Sequence, residues 1–190
     1  MRLGILGGSF DPPHLGHLLV ASDVFDQLAL DRLVFVPAAT QPLKRGRAAA
    51  SPAQRLAMAR RLVDGDPRFG VDPVEIERDG LSYTVDTLTT FAERHPDAER
   101  FFLVGADTLA SFGRWREPER VVALARLTVM QRGEGAVDLA GIPGDPLVLR
   151  TRRVDVSSTE IRERVRNGQS IHGFVPDAVA AFIEAERLYR

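Results

Sequence analysis

Two histidines, His14 and His17, stand three residues apart in the run Gly7-Gly8-Ser9-Phe10-Asp11-Pro12-Pro13-His14-Leu15-Gly16-His17. Paired glycines let backbone N–H groups approach an anion closely. A helix starting after such a turn adds unpaired N–H groups and a partial positive charge. Residues three apart on a helix share a face, so both imidazoles can aim at one point. There they can donate to phosphate oxygens without acting as nucleophiles. The glycines alone are weak evidence, because no Gly-Lys-Ser/Thr follows as in a Walker A loop and the spacing is not G-x-G-x-x-G. Two half-buried or capping histidines would give the same pattern. A metal pair is disfavoured, since neither thiolates nor an H-E-x-x-H partner accompanies it.

A second candidate lies far along the chain, at Val156-Ser157-Ser158-Thr159-Glu160-Ile161-Arg162. Ser157 and Glu160 have capping-box spacing, which by itself predicts a good helix start. Arg162 falls one turn beyond Ser158 on the same face. Hydroxyls, helix-start N–H groups and a guanidinium then converge, a set that suits a polyphosphate. A cap has no use for Arg162, whereas a triphosphate does.

These groups need a scaffold, and the pattern is strand alternating with helix. Short apolar runs ended by Gly or Pro predict strands at Arg2–Leu6, Arg32–Val36, Arg100–Val104, Leu127–Gln131 and Leu147–Val154. Phe69–Ile76 reads as extended, with Pro73 placing it at an edge or a bend. Leu18, Ala21, Phe25 and Leu28 recur at helical spacing after His14. Ser51, Pro52 and Gln54 predict a capped helix start. Thr84–Arg94, Ser157–Asn167 (stopped by Gly168) and Pro176–Tyr189 complete the main helices. Such alternation predicts an α/β fold of Rossmann-like, doubly wound form, with a mostly parallel sheet and helices on both faces. The expected organisation is one domain over residues 1–190, with a small C-terminal helical segment from about 157 to 190. Ligands of such sheets bind beyond the carboxyl ends of the strands, where the turn after the first strand must lie.

Composition excludes several partners. Lys and Arg number 25 against 26 Asp and Glu, so there is no basic footprint for nucleic acid or an anionic membrane. With no cysteine in 190 residues, disulfides, thiolate metal sites and cysteine nucleophiles drop out. The first strand is too short for a signal peptide, and no apolar run reaches spanning length. A cytoplasmic enzyme acting on small molecules is the expectation, and a homo-oligomer is compatible with it.

His14-Leu15-Gly16-His17 resembles the H-x-G-H signature of the nucleotidyltransferase superfamily, and Gly7–His17 is similar to nicotinate-nucleotide adenylyltransferases. Ser157–Arg162 resembles the S-x-T-x-I-R type motif that binds the ATP triphosphate there. The two motifs lie in the right order, about 140 residues apart, and together are far more specific than either alone. Phe102-Leu103-Val104-Gly105-Ala106-Asp107 followed by Trp115 resembles the family's G-x-D…W segment, and Tyr83-Thr84 its acceptor-binding pair. The resemblance runs from Gly4 to about Tyr189.

It implies adenylyl transfer from ATP to nicotinate mononucleotide, giving nicotinate adenine dinucleotide and pyrophosphate in NAD biosynthesis, with Mg²⁺ carried on the substrate. It also implies catalytic roles for His14, His17 and Arg162. ATP would lie against Gly7, Gly8, Ser9, Phe10, His14, Gly16, His17, Gly105, Asp107, Ser157, Ser158, Thr159 and Arg162. The acceptor would meet Ser9, Lys44, Tyr83, Thr84, Asp107, Trp115 and Arg132. No protein metal site is implied. One departure stands out: the family often has Pro-His-Lys after its second strand, where this chain has Pro42-Leu43-Lys44. Phosphopantetheine or nicotinamide mononucleotide are alternative acceptors, and a nucleotide sensor without turnover is a different class. Intact His14, His17 and Arg162 speak against the sensor.

Overall fold

The computed structural model describes residues 1–41, 49–133 and 135–190. Among the described residues six strands form one sheet: β1 (Arg2–Gly8), β2 (Arg32–Pro37), β3 (Phe69–Val71), β4 (Glu99–Gly105), β5 (Arg126–Arg132) and β6 (Leu147–Thr151). Every pairing is parallel, in the order β3-β2-β1-β4-β5-β6. This is the order of a doubly wound dinucleotide-type sheet, whose direction reverses between β1 and β4. The expected α/β Rossmann-like class is what the chain adopts.

Alternation within strands explains the two covered faces, since successive side chains point to opposite sides. Phe102 and Val104 of β4 join Leu3 and Ile5 of β1 in one core, while Phe101 and Leu103 join Leu6 in the other. The first core is closed by Val85, Leu88 and Phe91 of α4 (Thr84–Arg94) and Val121 of α6 (Pro118–Leu124). The second is closed by Val20, Ala21 and Val24 of α1 (Leu15–Gln27) and Leu62 and Val63 of α2 (Pro52–Val63). A smaller cluster packs Met58 of α2 against Ile161 of α7 (Ser158–Arg166) and Val179 and Ile183 of α8 (Asp177–Ala185). That cluster seats the C-terminal helices beside the carboxyl end of the sheet.

Three elements differ from expectation, the first being β6, which ends at Thr151 rather than Val154. The extended reading of Phe69–Ile76 stops at Val71, and a short helix α3 (Val74–Arg78) follows. The Asp72 carboxylate accepts the Val74 N–H at 2.9 Å, which starts a helical turn that Pro73, fixed in φ, can enter. The last helix ends at Ala185 rather than Tyr189, and Arg187 and Tyr189 take positive φ values of 52° and 63°. A four-residue helix α5 (Ala106–Leu109) and a 3-10 turn at Phe112–Arg114 follow β4.

Candidate active site

The carboxyl end of β1 runs into the Gly8–His14 turn, and α1 begins at Leu15 with His14 in extended conformation at its N-cap. The two imidazoles meet, with ring centroids 3.7 Å apart and planes at 37°. The His14 N–H donates to Nδ1 of His17 at 3.2 Å. That bond makes Nδ1 of His17 an acceptor, so its Nε2 carries the proton and is a donor. Gly16 is what lets the rings approach the helix: a Cβ there would lie 3.0 Å from Nδ1 of His14. Nδ1 of His14 is buried and has no hydrogen-bond partner among the described residues. Leaving such an atom unsatisfied costs on the order of 1–3 kcal/mol, a cost that structure alone does not justify.

Both rings are neutral near pH 7. Burial lowers His14 to about 4, with Arg132 adding to the shift. His17 is held well below its ordinary value, first by burial and then by His14 and Arg132. Arg132 is exposed at the end of β5, near enough for its charge to be felt at both rings. The sequence suggested helix-start amides as further anion donors, and here the geometry is more restrictive. The Leu15 N–H bonds the Phe174 carbonyl at 2.9 Å and the His17 N–H the His14 carbonyl at 2.9 Å. The rings, more than those amides, are left to meet a ligand.

Phe10 turns the chain ahead of the histidines. It sits at φ 49°, and its buried ring packs edge-on to His17 at 5.2 Å and against Phe35 at 5.6 Å. Gly8 accommodates that ring. Ser9 is half-buried beside it, and Gly7 is at the exposed strand end.

The second motif is brought to the same place. Ser158 Oγ donates to the Pro12 carbonyl at 2.8 Å, and Arg162 Nη1 to the Asp11 carbonyl at 2.7 Å. Arg162 Nη2 also donates to Thr159 Oγ1 at 3.2 Å. Two of the five guanidinium N–H groups make these bonds, leaving others to meet an anion. Ser157 is the N-cap of α7 and accepts the Glu160 N–H at 3.1 Å, which leaves its hydroxyl proton to donate. A bond between Arg152 and Asp23 (Nη2 to Oδ1, 2.6 Å) fastens the chain after β6 to α1 just before this motif.

The residues expected on the acceptor side follow β4 or open α4. Gly105 closes β4 and Asp107 is exposed in α5. Trp115 is half-buried, 6.0 Å from the Phe102 ring and 5.1 Å from Phe112, with Nε1 donating to Ser111 Oγ at 3.2 Å. Its packing against the core is real, and one part of the ring stays open to solvent. Tyr83 is the N-cap of α4, half-buried under the Arg116 guanidinium at 5.0 Å, with Thr84 opening the helix. Lys44 and Leu43 lie outside the described residues.

Sequence reasoning overlooked the groups beneath the site. Arg55, Asp11 and Glu75 are buried charges. The available signal was an arginine on the inward stripe of α2, with Met58, Ala59 and Leu62.

Residues 5–164 match the family model described as cytidylyltransferase-like. The chain belongs to this family. A relative from Gemmatimonas aurantiaca, called a probable nicotinate-nucleotide adenylyltransferase, is 50% identical over all of this chain and 93% of its own. Another of the same description from Thermus thermophilus is 44% identical, covering both chains completely. Among solved structures, Plasmodium falciparum nicotinic acid mononucleotide adenylyltransferase complexed with NaAD superposes with a TM-score of 0.80 at 19% identity, covering 99% of this chain and 97% of that one. That likeness is one of fold. Full-length kinship at up to half identity places the chain among the nicotinate-nucleotide adenylyltransferases of the family.

Proposed function

We propose that this chain joins the AMP moiety of ATP to nicotinate mononucleotide, releasing pyrophosphate. The observation that carries the reading is the pair of bonds from Ser158 and Arg162 to the Pro12 and Asp11 carbonyls. They bring two motifs from opposite ends of the chain against one histidine pair, and adenylyl transfer needs both sets of groups.

The acceptor phosphate is anionic near neutral pH, so it needs no strong base. One of its oxygens attacks the α-phosphorus of ATP in line, and the bond from that phosphorus to the bridging oxygen of pyrophosphate breaks. Catalysis is then positioning and charge stabilisation. His17 directs its Nε2–H at the α-phosphate and His14 meets the polyphosphate. Arg162 and Ser157 hold the β- and γ-phosphates, and Arg132 adds positive potential beside the rings. Gly105 and Asp107 border the nucleotide, while Tyr83, Thr84 and Trp115 receive the pyridine nucleotide, Trp115 by stacking on its ring.

The donor set is rich in N–H groups, and among the described residues no three His, Cys, Asp or Glu side chains form a metal-ligand group. The Asp11 carboxylate already accepts Ala49 N–H, Ala50 N–H and the Tyr189 hydroxyl. Such a site suits Mg²⁺ held by phosphate oxygens and water, as is usual for this ion, supplying charge neutralisation. No helix among the described residues is long and apolar enough to cross a membrane, and cytoplasmic work on small molecules fits the reading.

The test is pyrophosphate release with ATP and Mg²⁺, comparing nicotinate mononucleotide, nicotinamide mononucleotide and phosphopantetheine. Strong turnover with the first is expected. Turnover only with another acceptor keeps the chemistry and moves the substrate, while silence with all three, in a folded protein that binds ATP, overturns the reading.

A further inference from the structure

Arg55 heads the fully buried side chains by size, with only 2% of its surface exposed. A guanidinium placed there demands partners, because an uncompensated buried charge is strongly destabilising. It finds them in three separate segments. Nη1 donates to the Ser9 carbonyl at 2.8 Å, Nη2 to the Ala39 carbonyl at 2.8 Å and Nε to the Ala50 carbonyl at 3.3 Å. Asp11 and Glu75 oppose the effect of burial on its charge.

The contacts continue to both halves of the site. Asp11, 4% exposed, accepts Ala49 N–H at 2.7 Å, Ala50 N–H at 3.1 Å and the Tyr189 hydroxyl at 2.8 Å. Its backbone carbonyl holds Arg162. In the other direction, the Ala39 N–H donates to Ser82 Oγ at 2.9 Å and the Ser82 N–H to the Thr40 carbonyl at 2.9 Å. Ser82 immediately precedes Tyr83 and Thr84. Arg55 is thus bonded to the turn that carries the histidines and to the loop that holds the start of α4, while itself shielded from any ligand.

We infer that Arg55 is a positioning residue for adenylyl transfer: its planar fork sets the separation between the Ser9–His17 turn and the Ala39–Thr84 side of the site. The inference rests on the function proposed above. An in-line attack tolerates little displacement, and an error of about 1 Å in a bound group can cost on the order of a hundredfold in rate. Lysine keeps the charge of Arg55, but its three N–H donors share one nitrogen in place of a rigid fork, so it cannot span three carbonyls set as these are.

The test compares wild type with Arg55→Lys in initial-rate assays with ATP, nicotinate mononucleotide and Mg²⁺, at a temperature where circular dichroism shows both folded. The expected result is kcat per folded molecule lower by about tenfold or more, with both KM values within about threefold, as for lost transition-state alignment. A purely structural Arg55 would lower Tm and leave kcat per folded molecule within about twofold of wild type, and that result overturns the inference. If Arg55→Lys does not fold, Tyr189→Phe tests the same network by removing one bond from Asp11. A drop in kcat of about threefold or more with an intact fold is then expected, and wild-type kcat overturns it. An inert wild type instead overturns the proposed function, and this inference with it.

Discussion

Nδ1 of His17 accepts the backbone N–H of His14 at 3.2 Å, so the ring that follows the glycine turn carries its proton on Nε2. The bond fixes the tautomer as well as the orientation, which is how a neutral imidazole becomes a dedicated donor. Neutrality itself comes from burial, with His14 and Arg132 as neighbours.

His17→Ala is expected to lower kcat by on the order of a hundredfold or more, as loss of other preorganised oxyanion donors does, with the circular dichroism spectrum unchanged. His17→Gln, which retains an N–H donor, should recover part of the loss. Alanine kinetics within a few-fold of wild type would remove His17 from the reacting phosphate.

The depressed histidines make stability depend on pH with a definite sign. His14 titrates at 6.5 when unfolded and at about 4 when folded. Between those values the unfolded chain binds a proton that the folded chain does not, so stability falls as pH drops from about 6.5 towards 4 and levels off below. His14 alone contributes about 3 kcal/mol over that window, and His17 acts in the same direction. Urea unfolding at pH 7.5 and 4.5 would measure it. His14→Gln should show a clearly shallower loss than wild type, and equal slopes would mean that the ring titrates normally in the folded protein.

Gly8 tests the packing beneath the histidines. A methyl group there would lie 2.8 Å from Cζ of Phe10 and 3.0 and 3.1 Å from its neighbours. That ring is buried against Phe35 and His17 and has little room to give. Gly8→Ala should cost about 1–3 kcal/mol in denaturant unfolding and reduce kcat by disturbing His17. Gly105 is the contrasting case, since a methyl group there would meet nothing within 4 Å among the described residues. Gly105→Ala should stay within about 0.5 kcal/mol of wild type, so any rise in its KM for ATP would report contact with the nucleotide.

Much of this architecture could be read from local patterns, because local rules built it. Ser51 and Gln54 exchange both capping-box bonds, at 3.3 and 3.0 Å, and His14 opens α1 where the helical period begins. Helix α3 was hidden because Val71, Val74 and Ile76 read as strand, while the turn into the helix rests on one side-chain bond, from the Val74 N–H to Asp72. The meeting of Ser158 with Pro12 and Arg162 with Asp11 follows from the seating of α7 against α2 and α8, a tertiary event that no local window contains. Arg55 was missed for the opposite reason. Its type suggests solvent, and its burial is explained only by carbonyls outside its helix, those of Ser9 and Ala39 from other parts of the chain and that of Ala50 just before α2.

Arg162 is the remaining decisive side chain, because it has a structural role as well as the proposed one. Its bond to the Asp11 carbonyl fastens α7 to the histidine turn, and its remaining N–H groups are free to meet phosphate. If the second role dominates, Arg162→Ala should lower kcat/KM for ATP by on the order of a hundredfold, as loss of a charged transition-state donor does, and leave KM for nicotinate mononucleotide within a few-fold. Arg162→Lys should recover charge but not the fork, and so sit between the two. If the clasp is all that Arg162 provides, alanine lowers Tm while ATP kinetics per folded molecule stay those of wild type. Steady-state rates over a range of ATP, taken alongside a thermal scan of each variant, separate the two roles.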